Sequence, residues 1–241
     1  MPLFPPKIIN FITKSVYWAD RFVRSDLIRG YIADENDYTS NLTCEIRRQI
    51  NSKNCPNLHA ISIVMKPSFE RKTGSDACII LSNQNEFKIC LFEAKWPRLS
   101  THKDYWDYIQ IAAKQSHFSE QIKKQHTISR TFAIWEMFYC EFEFMKQPHW
   151  LNDFHSSCIW HDDAYLAFNS RNNSNKWTDI ELENLIITAN NHYKTTIDNL
   201  VNEVCQCNKG KVFNGNDYFS VFEEMAIPQE ALLIEYTSSE E

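Results

Sequence analysis

The stretch GSDACIILSNQNEFKICLFEAKW, residues 74–96, constrains the fold more than any other part of the chain. Two runs rich in β-branched and aromatic residues, DACIILS at 76–82 and FKICLFEAKW at 87–96, flank a polar turn centred on Gln84 and Asn85. That is the pattern of a β-hairpin. A register symmetric about the turn pairs residues whose numbers add to 169, which sets Asp76 directly opposite Glu93. Side chains alternate along a strand, so Glu93 and Lys95 share one face while Ala94 points to the other.

The surrounding sequence supplies the other elements. Residues 8–32 carry Ile8, Ile9, Ile12, Val16, Phe22 and Val23 at roughly helical spacing, with Gly30 near the end. In DENDYTSNLTCEIRRQI, Thr39 and Ser40 read as N-caps of a short helix with Leu42, Ile46 and Ile50 on one side and Glu45 near its middle. AISIVMK at 60–66 is a third strand, and a helix is expected over about 104–126, a stretch rich in helix formers that lacks proline and glycine. TFAIWEMFYCEFEF and SSCIWHDDAYLAF read as further strand, and Thr178 with Glu181 has the spacing of a capping box for a helix running to about Cys205. This order predicts an α/β (α+β) fold with a mixed sheet. One domain is expected over 1–241: a core at about 35–170, an N-terminal helix at about 8–32 and a C-terminal helical region at about 178–241.

With 241 residues, 43% of them hydrophobic, and only four glycines, the chain can bury a real core without a disulfide scaffold. The eight cysteines are scattered, several inside apolar runs, and read as buried thiols of a reducing compartment. No stretch approaches the roughly 20 apolar residues of a membrane span, and the proline-rich N-terminus lacks a secretory apolar segment. A soluble, cytoplasmic protein without a membrane partner is expected.

The chemistry follows from the hairpin. Two carboxylates on adjacent strands repel each other unless a cation or a proton lies between them. Hard oxygen ligands of this kind suit Mg²⁺ or Mn²⁺. A neighbouring ammonium stabilises charge on a phosphate or orients an attacking water. Together these parts point to metal-dependent phosphodiester hydrolysis.

GSD, an apolar strand and then FEAK resemble the D…ExK signature of the PD-(D/E)xK nuclease superfamily, with Ser75 where the superfamily name has proline. The likeness covers about Glu35 to Gln125. It implies a restriction-endonuclease-like core, a central four-stranded mixed sheet flanked by helices in the order αβββαβ, which matches the element order above. It also implies that Asp76 and Glu93 are metal ligands, that the Ala94 carbonyl adds a ligand, and that Lys95 is the catalytic lysine. Many members carry a further acidic residue on the helix before the sheet; Glu45 is preferred over Glu35 because it falls inside the expected helix. Some carry a glutamine on the helix after the lysine strand, and Gln121 is preferred over Gln115 and Gln125.

Although the net charge is −6, residues 41–130 hold 14 Lys and Arg against 8 Asp and Glu, and the rest of the chain 11 against 23. A polyanion needs only a local positive field. Arg47, Arg48, Arg71, Lys72, Arg98, Lys123 and Lys124 are therefore the expected nucleic-acid contacts, with DNA the expected substrate and Trp96 beside the lysine either a groove wall or core. The rival reading is a non-catalytic nucleic-acid-binding or protein-interaction module on the same fold. A homodimer and a basic protein partner for the acidic C-terminal half are further expectations. His155, Cys158 and His161 form HxxCxxH, and Cys205 with Cys207 forms CxC. Neither has a familiar zinc spacing, so buried thiols and ordinary histidines are preferred.

Overall fold

The computed structural model describes residues 1–53, 55–64, 73–101, 106–110, 115–171, 176–189, 194–222 and 230–238. Helix α1 (Pro6–Ile28) starts with proline in its first turn, where the missing N–H costs nothing, and buries Ile8, Ile9, Ile12, Val16, Ala19, Val23 and Leu27. Phe22, grouped with that face in the sequence, is instead 52% exposed. Helix α2 (Glu35–Ser52) is capped by Asp34, whose side chain accepts from the Asp37 N–H at 2.9 Å. Thr39 and Ser40 lie inside the helix rather than at its start. Asp34 caps it one turn earlier because a carboxylate both accepts the free N–H groups and favours the positive helix end.

The strands are β1 (Leu58–Val64), β2 (Ala77–Asn83), β3 (Glu86–Lys95), β4 (Ile109–Gln110), β5 (Gln115–Ser116), β6 (Ala133–Phe138), β7 (Ser157–Trp160), β8 (Phe213–Asn214) and β9 (Glu230–Tyr236). Helices α3 (His117–His126), α4 (His161–Ser170), α5 (Asp179–Ala189), α6 (Ile197–Cys205) and α7 (Tyr218–Phe222) complete the described elements. The main sheet runs β1-β9-β2-β3-β6-β7, with β8 also pairing with β3. It is mixed: β9/β2 and β3/β6 are parallel, the other pairs antiparallel.

This is a mixed α/β architecture, as expected, but the sheet has seven strands rather than four. The C-terminal region, expected to be helical, supplies β9, which inserts between β1 and β2. Its Ala231, Leu232, Leu233 and Ile234 are all buried, as a strand covered on both faces requires. The helix expected over about 104–126 starts only at His117; within the expected span Ile109–Gln110 and Gln115–Ser116 are instead the paired strands β4 and β5. Ser116 caps the helix, and the buried Asp107 accepts from the Ser116 hydroxyl and the Phe118 N–H. HDDAYLAF, read as strand, is α4, and the expected helix from Thr178 to Cys205 is two helices, the second opened by a capping box at Thr196. Thr178 and Glu181 do form the predicted box, with N–H bonds of 2.8 and 3.1 Å. All eight cysteines are free, and among the described residues no helix is long and apolar enough to cross a membrane.

Alternation along the strands sorts the core. Ile79, Leu81, Cys90, Phe92, Ala94, Trp135 and Met137 pack with α1, α2 and α6. Cys78, Ile80, Ile89, Leu91 and Ile134 face the other side with Phe222 of α7, and Phe138 and Ile159 continue that side with residues of α3, α4 and α5. Glu93 and Lys95 therefore belong to the α3 side.

A buried polar network locks α2 in place. The Asp20 carboxylate of α1 accepts from the Tyr38 hydroxyl at 2.9 Å, the Ser156 N–H at 2.8 Å and the Ser156 hydroxyl at 2.7 Å. Tyr38 also stacks on Tyr139, whose N–H bonds the Lys95 carbonyl at 3.1 Å. The start of α2 is thereby tied to the ends of β3 and β6. Asp20→Ala leaves the Ser156 N–H without its acceptor and the Tyr38 and Ser156 hydroxyls with only each other, 3.0 Å apart, and is expected to cost about 3 kcal/mol. A urea midpoint shift at constant m measures it, and a loss under about 1 kcal/mol would show that the network contributes little.

Candidate functional site

The β2/β3 hairpin pairs Ala77 with Phe92 and Asn83 with Glu86, the register predicted from the turn. Asp76 stands immediately before β2, where its N–H donates to the Phe92 carbonyl at 2.9 Å and its Oδ2 accepts from the Ala94 N–H at 2.9 Å. The Ala94 backbone thus enters the site through its N–H. Glu93 is fully buried. Its Oε1 accepts from both the Lys95 ammonium and the Gln121 amide, while its Oε2, equally buried, has no hydrogen-bond partner among the described residues. Gln121 reaches Oε1 because Gly74, at φ 69°, lets the turn before Asp76 lie against α3; a Cβ there would stand 3.0 Å from the Gln121 Cα and carbonyl oxygen.

The acidic residue that α2 brings to the site is Glu35. Its Oε1 accepts from the Trp96 N–H at 2.9 Å, and its Oε2 lies 3.6 Å from the Lys95 Nζ. Glu45 is ten residues further on, roughly 15 Å along the helix axis, and bonds Arg48 at 2.7 Å and Gln49 at 2.8 Å. The early N-cap at Asp34 is the reason: it puts the first turn of α2, not its middle, at the ends of β3 and β6. The acidic first turn DEND was the available signal.

These groups line an open cavity of about 370 Å³ together with Asn36, Arg98, Tyr108 and His117. Tyr108 stacks on His117 with ring centroids 4.5 Å apart, and Arg98 lies over the Trp96 ring at 4.2 Å. Glu141 steadies this wall, accepting from the Trp96 indole at 2.8 Å and the Ser100 N–H at 2.7 Å. Tyr108, His117 and Asn36 carried no motif that marked them in the sequence. A cavity of about 410 Å³ between α4 and α5, lined by Trp177, Leu185 and the Arg171–Glu181 pair, holds no comparable grouping.

Of the expected basic residues, Arg98 is in the cavity wall. Lys124 is near enough for its charge to act on His117, and Lys123 bonds Gln115 at 2.6 Å and Glu120 at 2.8 Å. Arg47 and Arg48 do not line the cavity; they contact Cys44 and Glu45 of their own helix. Arg71 and Lys72 lie outside the described residues. HxxCxxH does not converge: Cys158 packs on the α1 side of the sheet, His155 lies against Tyr17, and His161 bonds partners on the α3 side.

Burial and the charge of Asp76 push the Glu93 carboxyl well above its ordinary range, against the pull of Lys95. For Lys95 burial acts downward, but Glu93, Glu35 and Asp76 outweigh it and hold the ammonium well above its usual value. The donor set suits Mg²⁺ or Mn²⁺: the Asp76 and Glu93 carboxylates line one cavity, and one Glu93 oxygen is buried with no hydrogen-bond partner among the described residues. Among the described residues no three His, Cys, Asp or Glu side chains group closely enough to hold an ion alone. Magnesium commonly takes one or two carboxylates and fills its shell with water and substrate phosphate.

Burial, followed by the charges of Lys95 and Lys124, lowers the His117 imidazole to about 4. The unfolded chain takes up that proton near 6.5, so the contribution of His117 to stability is complete above 6.5 and is lost as pH falls toward 4. Thermal melts of His117→Gln should therefore decline less steeply than those of the parent over this window. Parallel curves would show that His117 is not held neutral. No protein family, curated protein or solved structure matches this chain, so the site stands on its own geometry.

Proposed function

We propose that this chain is a metal-dependent nuclease that hydrolyses phosphodiester bonds, of DNA in the first instance, with Asp76 and Glu93 as the ligands of Mg²⁺ or Mn²⁺. The observation that carries the reading is the buried Oε2 of Glu93, without a hydrogen-bond partner among the described residues, at a cavity that Asp76 also lines, with Lys95 and Gln121 both turned to the other oxygen. A cation there would neutralise the repulsion between the two carboxylates, lower the pKa of a bound water and offset charge on the phosphate. The protein's own groups do the rest. Lys95, held by Glu93 and Glu35, presents a permanent ammonium to a phosphate in the cavity. Gln121 fixes the Glu93 rotamer, and Arg98, on its Trp96 support, offers a guanidinium to a flanking phosphate. The order α2, β1, β2, β3, α3, β6 along the chain, with the short β4/β5 pair between β3 and α3, supports a restriction-endonuclease-like core, to which β7 and β8 are additions and into which β9 inserts between β1 and β2.

Cleavage of plasmid, single-stranded DNA and RNA, together with calorimetric Mn²⁺ titration, tests the reading. Asp76→Ala and Glu93→Ala should each weaken Mn²⁺ binding about tenfold or more and remove detectable cleavage. Lys95→Ala should keep metal affinity within about threefold while slowing cleavage about 100-fold or more. A Lys95→Ala variant that cuts as fast as the parent would sink the mechanism. A parent that binds neither metal and cuts nothing would point to the non-catalytic module instead. Affinity for DNA, measured with metal withheld, should fall steeply as salt is raised from about 50 to 200 mM, and indifference to salt would argue against a phosphate-binding face.

A further inference from the structure

Behind the cavity lies a second polar cluster that the proposed chemistry does not use. Glu136 on β6 is the register partner of Glu93 and is fully buried. His161, the first residue of α4, places its Nδ1 3.2 Å from Glu136 Oε1 and 3.0 Å from Gln125 Oε1. The Gln125 amide donates to the Gly74 carbonyl at 2.7 Å and lies 3.5 Å from Glu136 Oε2. Gln125 and His161 are buried as well, and none of the three lines the cavity.

The bonds have one direction. A carboxylate only accepts, so Glu136 puts the proton of His161 on Nδ1. That N–H is shared with the carbonyl oxygen of Gln125, which turns the amide NH₂ toward Gly74. Reversing the amide would set N–H against N–H at His161 and oxygen against oxygen at Gly74. The gripped carbonyl belongs to the turn that presses on Gln121 and, two residues later, presents Asp76 to the Ala94 N–H.

We propose that His161 is a positioning residue: by orienting Gln125 it clamps the Gly74–Asp76 turn and sets the separation of Asp76 from Glu93. The consequence for metal binding rests on the nuclease reading, whereas the placement of Asp76 is measurable without it. The Ala94 N–H reports that placement directly, since its acceptor is the Asp76 carboxylate.

Amide hydrogen exchange by NMR on the full metal-free chain tests this, comparing the parent with His161→Ala, His161→Asn and Gln125→Leu. His161→Asn keeps a donor at the Nδ1 position. Gln125→Leu keeps volume and leaves the Glu136–His161 pair intact, so it remains informative if His161→Ala strands Glu136 and unfolds the chain. Loss of the clamp should speed exchange at Asp76 and Ala94 about tenfold or more in His161→Ala and Gln125→Leu, with Ile80 and Ile89 unchanged in the same hairpin. His161→Asn should restore both rates to within about threefold of the parent. Unchanged rates at Asp76 and Ala94 in Gln125→Leu, or a uniform rise along the hairpin, would overturn the proposal in favour of general stabilisation. Mn²⁺ affinity should fall about tenfold in Gln125→Leu. A parent that binds no Mn²⁺ but shows the local exchange pattern would uphold the clamp and reject the metal reading.

Discussion

The carboxylate of Glu93 is buried in the middle of a sheet, and such a group is costly unless each oxygen is matched. One oxygen is matched twice, by Lys95 and Gln121; the other is bare. Much of the surrounding structure serves this group. Lys95 must be charged to stay there, and Glu35 on the first turn of α2 adds a second carboxylate to hold it so. Asp76, instead of relieving Glu93, raises its proton affinity. The outcome is a carboxyl group with one oxygen unmatched among the described residues and a positive charge at the other, in a cavity open to a ligand. On the proposed reading a divalent cation matches that oxygen and holds the group ionised.

The architecture makes that arrangement possible at modest cost. The parallel strands β3 and β6 end together, and the hairpin partner β2 begins at the same edge. This is the position at which open α/β sheets generally place ligands. The helix before the sheet then directs its acidic first turn at that edge. Its placement comes from Asp20, which satisfies Tyr38 and Ser156 inside the core, and from the Tyr38–Tyr139 stack. Packing deep in the molecule therefore sets the geometry of a polar surface group several residues away.

What the sequence made legible was local. The hairpin register, the shared face of Glu93 and Lys95, and the capping box at Thr178 depend on neighbours within about twenty residues, and each is found in the structure. Gln121 was chosen by likeness and does meet Glu93. The insertion of β9 between β1 and β2 depends on residues about 150 to 180 positions apart, and a short apolar run near the C-terminus gives no hint of its partners. Glu45 is the expected residue because it falls inside a helix read as starting at Thr39 or Ser40; the cap in the structure, Asp34, lies five residues before Thr39 and brings Glu35 to the site. Glu136, Gln125 and His161 come from three elements, so only tertiary structure unites them.

On the proposed reading Asp76 and Glu93 share a divalent cation. Crystals of the full chain soaked in Mn²⁺ and measured at the manganese edge would locate it by anomalous scattering. The account predicts one strong peak roughly 2.2 Å from a carboxylate oxygen of each residue, with Lys95 and Gln121 still on the opposite oxygen of Glu93. Manganese bound only elsewhere, or a site left without a peak at saturating concentration while Lys95 bridges both carboxylates, would contradict it.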